Sequence, residues 1–242
     1  MIHSMVDQTL RPALLRAAAR NNADWCEAMC RAHGLRGEFR ADAWSSPART
    51  PPYYPDAVTL GPHVRAADLL ARVDTRTAGA TLKDSFAVLD LHPHGWTPLF
   101  DANWIARAPL SAASGTHWRR VRTLTELGHW EQAWDGGVDA LFRSSLLDDP
   151  SVLLLAAPDY GAGAILSLGA GVVGVSNLFG AGEDADDPDR AWHDCVAAAS
   201  VFCPGLTLVG YEQGQDLAAA ERAGFARLGP LRVWLAPDAV RI

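Results

Sequence analysis

The fold is decided by residues 206–235, which read LTLVGYEQGQDLAAAERAGFARLGPLRVWL. Residues 206–211 form an apolar run of strand length, and Asp216 is placed to cap an alanine-rich helix after it. Gly224 is expected to end that helix, because glycine adopts the left-handed backbone of a C-terminal cap without strain. Residues 228–235 then have the composition of a final strand. The segment therefore predicts a strand, a helix and a strand, which is typical of α/β proteins.

Upstream of this segment, local signals predict further strands and helices. From residue 117 the expected order is strand, helix, helix, three strands, helix, strand, helix and strand. Thr123 opens the first helix with a capping-box pattern, residues 139–147 continue as the second, and Asp187 followed by Pro188 starts the third. Residues 152–156 are a continuous apolar run, as in a strand buried on both faces.

The first half of the chain predicts a separate arrangement of helix and strands. Residues 12–33 have the apolar spacing of a helix, and residues 85–91 and 96–106 predict a hairpin around a Pro-Gly turn. A Pro/Ser/Ala/Gly-rich stretch follows, which is typical of a boundary. We therefore expect an N-terminal α/β domain at residues 1–115 and a second domain at residues 116–242.

Composition excludes several classes of protein. The 242 residues are 49% hydrophobic, with a net charge of −7 and four cysteines, so a disordered chain and a disulfide scaffold are excluded. The acidic balance argues against nucleic acid as a partner. Residues 160–182 carry no charge, but their seven glycines favour two buried strands over a membrane span. The first ten residues lack the apolar core of a signal peptide, so a cytoplasmic location is expected.

Candidate metal ligands are present but poorly arranged. Asp90, His92 and His94 share one face only if the backbone is extended, and the proline and glycine among them favour a turn. Cys26, Cys30 and His33 share a helix face, yet a structural zinc site needs a further ligand pair. The acidic segment before Pro188 departs from the EF-hand spacing. No metal is expected.

The order of elements, ending in Ala-Gly-Phe at 223–225 before a final strand, resembles the GNAT superfamily of N-acetyltransferases over roughly residues 117–242. The resemblance implies a mixed sheet flanked by helices, and it leaves open that the N-terminal half is a degenerate copy of the same fold. It also implies acetyl-CoA as the acyl donor and a small-molecule amine as the acceptor. The cofactor-binding residues that it implies are Val175, Ser176, Asn177 and Leu178 for the pantetheine arm, and Gly180 and Gly182 for the pyrophosphate.

The resemblance also places the chemistry at the end of a strand. Glu212 would act as the general base and Tyr211 as the acid that protonates the leaving thiolate. Burial would raise the pKa of Glu212 toward neutrality, as a base for an amine requires. The alternative is that Glu212 forms an ion pair with an arginine such as Arg232, or is simply solvated.

Two departures from the family pattern support a second hypothesis. Five carboxylates lie within residues 183–189, where a polyanionic cofactor would bind, and Ala220 stands where many members carry the acidic tyrosine. A non-catalytic module that binds a small molecule or a protein is therefore the alternative to an N-acyltransferase. A homodimer is also left open.

Overall fold

The computed structural model describes residues 10–109, 115–180 and 187–237. Its helices are Arg11–Ala32 (α1), Ala66–Leu70 (α2), Leu124–Trp134 (α3), Pro188–Phe202 (α4) and Gly214–Arg222 (α5). Its strands are Glu38–Phe39 (β1), Ala43–Ser45 (β2), Ala57–Thr59 (β3), Thr81–Asp84 (β4), Thr97–Arg107 (β5), Arg119–Arg120 (β6), Val152–Ala156 (β7), Ala162–Gly169 (β8), Val172–Gly180 (β9), Leu208–Glu212 (β10) and Ala226–Leu235 (β11).

All of these strands belong to one mixed sheet, with the order β1-β2-β3-β4-β11-β5-β10-β9-β8-β7-β6. The β3–β4 and β10–β9 pairs are parallel, and the other pairs are antiparallel. Strand β5 lies between β10 and β11 and pairs with both of them. The mixed α/β sheet flanked by helices is therefore confirmed. The division at residues 115 and 116 stays a prediction, although strands from both sides of it share this sheet.

The predicted hairpin at residues 85–91 and 96–106 is wrong. Strand β4 ends at Asp84, because its buried carboxylate accepts hydrogen bonds from the backbone N–H groups of Phe86 and Leu89 and turns the chain. The C-terminal strand β11 then pairs with both β4 and β5 and separates them.

Local signals predicted several element boundaries and missed others. The capping box of Thr123 and the Asp187 cap of α4 are both confirmed, and Asp187 accepts the N–H of Arg190 at 3.0 Å. The second predicted helix, at residues 139–147, is wrong, since only a short 3-10 helix at Ser144–Leu147 forms there. Likewise α5 begins after Gln213, so Asp216 lies within its first turn and does not cap it.

Helices cover both faces of the central sheet. Leu154 of β7 packs in a cluster with residues of α1 and α3, whereas its neighbours Leu153 and Leu155 pack with residues of α4 and α5. Successive strand residues point to opposite faces, so α1 and α3 lie on one face and α4 and α5 on the other. Among the described helices, none combines the length and apolar character needed to cross a membrane.

Candidate functional site

Strands β9 and β10 separate in the middle of the sheet. These parallel strands pair at only two positions, Val173 with Leu208 and Gly174 with Val209. Beyond them, β10 stays paired with β5 and β9 stays paired with β8. A cleft therefore opens between the strands from Val175 onward.

A bulge in β9 shapes this cleft. The register with β8 shifts between Gly163 and Ile165, so that two residues of β9, Asn177 and Leu178, oppose one residue of β8. Asn177 has a positive φ of 51°, which asparagine tolerates better than most residues. A bulge redirects side chains, and here Asn177 and Leu178 line different cavities.

Two cavities flank the cleft on opposite faces of the sheet. The α1-side cavity has a volume of about 220 Å³ and is lined by Asn22, Trp25, Cys26, Tyr53, Tyr54, Pro55, Lys83, Val175, Ser176, Asn177, Tyr211 and Glu212. The α4-side cavity has a volume of about 130 Å³ and is lined by Leu178, Phe179, Gly180, Pro188, Ala191, Trp192, Glu212 and Asp216. Glu212 is the residue common to both.

Glu212 lies partly buried at the end of β10. Burial raises its pKa from 4.5 to about 8, and the nearby carboxylate of Asp216 adds to the rise. The ion pair with Arg232 that the sequence left open is absent, because Arg232 donates hydrogen bonds to Asp101 at 2.6 and 2.8 Å. Glu212 is therefore mostly neutral at pH 7, and it can accept a proton once it ionises near pH 8.

Tyr211 lies next to Glu212 but is directed to the α1-side cavity. Its ring packs edge-on against Trp104, with 5.5 Å between the centroids. The ammonium nitrogen of Lys83 lies 3.9 Å from the Tyr211 ring centroid. Ala220, at the position where the resemblance implies an acidic tyrosine, is fully buried in the core, and its methyl group cannot donate a proton.

The structure brings most of the sequence-predicted site residues together. Val175, Ser176 and Asn177 line the α1-side cavity with Tyr211 and Glu212, and the hydroxyl of Ser176 is buried without a hydrogen-bond partner. Leu178 and Gly180 line the α4-side cavity. Gly182 and residues 183–186 lie outside the described residues. The predicted cofactor-binding roles of these residues stay predictions.

Side chains at the start of α4 pair with a backbone N–H group of its first turn and with a nearby arginine. Asp187 accepts the N–H of Arg190, and Pro188 has no N–H to donate. Asp189 forms a two-pronged ion pair with Arg222 of α5, with donor–acceptor distances of 2.6–2.9 Å. Part of the negative charge that the sequence places here is therefore neutralised.

Several residues that line the α1-side cavity were not predicted from the sequence. Lys83, Tyr54 and Asn22 come from β4, the loop before β3 and α1, and nothing local connects them to Glu212. The one available signal was that Lys83 is the only lysine of the chain.

The metal candidates do not converge in the described part of the chain. His92 and His94 lie in a 3-10 turn rather than on an extended face, and Asp90 accepts the backbone N–H of His92. Residues 10–109, 115–180 and 187–237 contain no group of three or more His, Cys, Asp or Glu side chains arranged to hold a metal ion.

Comparisons with known proteins identify the fold. No family model and no curated protein sequence matches the chain. A GCN5-related N-acetyltransferase from Kribbella flavida is similar in structure, with a TM-score of 0.59, 16% identity and coverage of 91% of this chain and 95% of that one. A protein described as a GNAT-family acetyltransferase, from Novosphingobium aromaticivorans, has a TM-score of 0.59, 12% identity and coverage of 91% and 99%. A Drosophila protein has a TM-score of 0.52, 14% identity and coverage of 96% and 97%.

The likeness extends well beyond residues 117–242, to which the sequence resemblance was confined. At these identities the likeness shows the fold alone. The chain therefore has the fold of the GNAT N-acetyltransferases.

Proposed function

We propose that this protein is an N-acyltransferase that transfers an acyl group from acyl-CoA to a small-molecule amine. The observation that carries the proposal is the position of Glu212. It lies where β9 and β10 diverge and lines a cavity on each face of the sheet. A donor in one cavity and an acceptor in the other would meet beside its carboxyl group.

Acyl-CoA fits the cleft in two respects. Beyond Gly174 the edge of β9 is no longer paired with β10, so its backbone can pair with the amide groups of a pantetheine arm. The unpartnered hydroxyl of Ser176 lies on the same edge. Asp216 and Glu212 oppose an anion in the α4-side cavity, but the raised pKa of Glu212 removes most of its charge at pH 7.

When bound, acyl-CoA supplies the acyl group as a thioester. In the transfer, a C–N bond forms to the amine, the C–S bond breaks, and the sulfur leaves as the thiol. Of the two protons that the ammonium form of the acceptor loses, one goes to ionised Glu212 and from there to solvent. The other goes to the sulfur, and we assign Tyr211 the role of passing it on.

The acceptor would occupy the α1-side cavity. Its volume of about 220 Å³ is below the roughly 300–1,000 Å³ that holds drug-sized ligands, which favours a small amine. Trp25, Tyr54 and Tyr211 supply aromatic surface to it, and Glu212 lines it from the end of β10.

The decisive experiment measures acyl transfer and its dependence on pH. Thiol release from acetyl-CoA is followed with a panel of small amines for the wild type, Glu212→Gln and the control Glu221→Gln, an exposed carboxylate on α5. We expect kcat/KM of the wild type to rise with pH through about 8, because only ionised Glu212 accepts a proton. Glu212→Gln keeps only the rise that ionisation of the amine itself produces and loses the step near pH 8, whereas Glu221→Gln keeps that step. Equal profiles for the wild type and Glu212→Gln would remove Glu212 from the mechanism.

A non-catalytic binding module is the second candidate, favoured by Ala220 in place of an acidic tyrosine and by the carboxylate of Asp216 in the α4-side cavity. Calorimetric titration with acetyl-CoA and CoA at low salt separates the two candidates, because low salt strengthens any repulsion by these carboxylates. Micromolar binding supports the enzyme. Absence of binding at millimolar CoA supports the module.

A further inference from the structure

Lys83 is a buried cation that has no carboxylate partner among the residues that the structure describes. It lies on β4 and is 2% exposed, and its ammonium group donates a hydrogen bond to the side-chain oxygen of Asn22 at 2.8 Å. Within the described ranges, no Asp or Glu oxygen forms an ion pair with it at 4.0 Å or less. Buried charges are usually paired, and an ammonium group has three donors. The Tyr211 ring, whose centroid is 3.9 Å from the ammonium nitrogen, supplies a cation–π contact but no acceptor atom. Lys83 therefore keeps N–H donors for a ligand.

The spare capacity of Lys83 faces ligand-sized space. Lys83 lines the α1-side cavity and also an adjoining outer cavity of about 310 Å³, and Tyr53, Tyr54, Pro55 and Tyr211 are likewise common to both. Glu212 lines the α1-side cavity but not the outer one. A molecule that extends from Glu212 toward the outer cavity therefore passes the ammonium group.

Tyr54 provides a second unused donor at the same place. It is 7% exposed, and the side chains of Trp25 and Asn177 approach its oxygen as donors. Its own O–H proton has no acceptor among the described residues. An unsatisfied buried hydroxyl costs free energy unless a ligand or water binds it. An anion beside Lys83 at the boundary of the two cavities would place an acceptor within the same polar pocket.

We propose that the acceptor amine carries a carboxylate, which Lys83 binds while the amine lies at Glu212. This assignment rests on the proposed acyltransferase activity and names its substrate class, a small amino acid or ω-amino acid. A carboxylate, rather than a phosphate, is favoured because the single ammonium group of Lys83 balances one negative charge. Charge-assisted hydrogen bonds of this kind are about twice as strong as neutral ones.

The test compares amines that differ only by the carboxylate. The pairs are phenylalanine and phenethylamine, leucine and 3-methylbutylamine, and 4-aminobutyrate and propylamine, each assayed with acetyl-CoA by mass spectrometry of the acylated product. We expect kcat/KM to favour the carboxylated member of at least one pair by about 10-fold or more. In Lys83→Met that ratio falls to about 1, whatever absolute activity remains.

Two variants separate recognition from folding. Arg40→Met removes one positive charge from an exposed site outside both cavities and should keep the wild-type ratio. Tyr54→Phe removes one hydroxyl and should reduce the ratio in part. Burying a charge that has no carboxylate partner costs free energy, and methionine removes that cost, so the Tm of Lys83→Met should not fall. A fall in Tm with an unchanged ratio would mean that Lys83 is structural and would overturn the proposal.

The outcomes distinguish this inference from the proposed function. Acetyl transfer with no preference for the carboxylated members overturns the carboxylate assignment and leaves the acyltransferase standing. If no amine is acylated, the proposed enzyme fails, and the same pairs are titrated calorimetrically without acetyl-CoA. Binding of a carboxylated member to the wild type but not to Lys83→Met then upholds the ligand class. Equal behaviour of both members of every pair overturns it.

Discussion

The substitution Glu212→Gln should stabilise the protein increasingly as the pH rises. The folded state holds the pKa of Glu212 at about 8 instead of its ordinary 4.5. Between these two values the folded state binds more protons at this site than the unfolded state, so the free energy of unfolding falls as the pH increases. Glutamine does not ionise, and the variant therefore lacks this loss.

The size of the effect follows from the pKa. Raising a carboxyl pKa from 4.5 to about 8 corresponds to at most about 5 kcal/mol once the pH exceeds both values. Glu212 keeps some solvent contact through the two cavities, which reduces this figure. We expect the stability of Glu212→Gln relative to the wild type to increase by about 2–4 kcal/mol between pH 5 and pH 8, and to level off above pH 8.

Urea unfolding followed by tryptophan fluorescence at pH 5, 6, 7, 8 and 9 measures this difference. Carboxylates whose pKa is lowered by an ion pair act in the opposite direction, but they contribute equally to both proteins and cancel. Glu221→Gln is the control, because Arg227 lowers the pKa of the exposed Glu221 and its removal should give no stabilisation at high pH. A wild-type and Glu212→Gln difference that stays constant from pH 5 to pH 9 would refute a raised pKa at Glu212.

Three further substitutions test the cleft and its supports. Asp216→Asn removes the second cause of the raised pKa of Glu212, so the midpoint of the pH–kcat/KM profile should move below that of the wild type; an unmoved midpoint would contradict the coupling. Gly174→Ala places a Cβ 2.0 Å from the buried side-chain oxygen of Asn21. It should lower the free energy of unfolding by ~1–3 kcal/mol in urea titrations. No loss of stability would mean that Asn21 of α1 can move aside at no cost. Thr123→Ala removes the cap of α3 and should cost about 1 kcal/mol by the same assay, and a neutral result would show that packing alone holds that helix start.

Local sequence signals predicted those parts of the fold that depend on neighbouring residues. The Asp-Pro start of α4 was predicted because a carboxylate cap and a proline act within one turn of the helix. The apolar run at β7 was predicted because burial on both faces requires it. The prediction of a hairpin failed because strand pairing does not depend on neighbouring residues. Whether β5 pairs with β4 or with β11 depends on residues more than a hundred positions away.

The residues of the candidate site likewise fall into those that the sequence indicates and those that it does not. Glu212 and Tyr211 could be selected from the sequence, because a carboxylate and a phenol that follow an apolar run are recognisable and the resemblance places chemistry there. The residues that surround Glu212 could not be predicted from the sequence. Arg232, which was considered as its partner, pairs with Asp101 instead. Lys83 and Tyr54 reach the α1-side cavity only because β4 and the loop before β3 fold over the same face as α1.

The sequence by itself determined the order of most strands and helices in the second half of the chain, since capping, burial and backbone preference act over a few residues. The tertiary structure alone decided that β9 and β10 pair at two positions and then diverge. It also decided that burial raises the pKa of Glu212 and that a lone lysine lies in the adjoining cavity. Desolvation and charge pairing depend on which distant segments pack around a group, and these are properties of the assembled sheet.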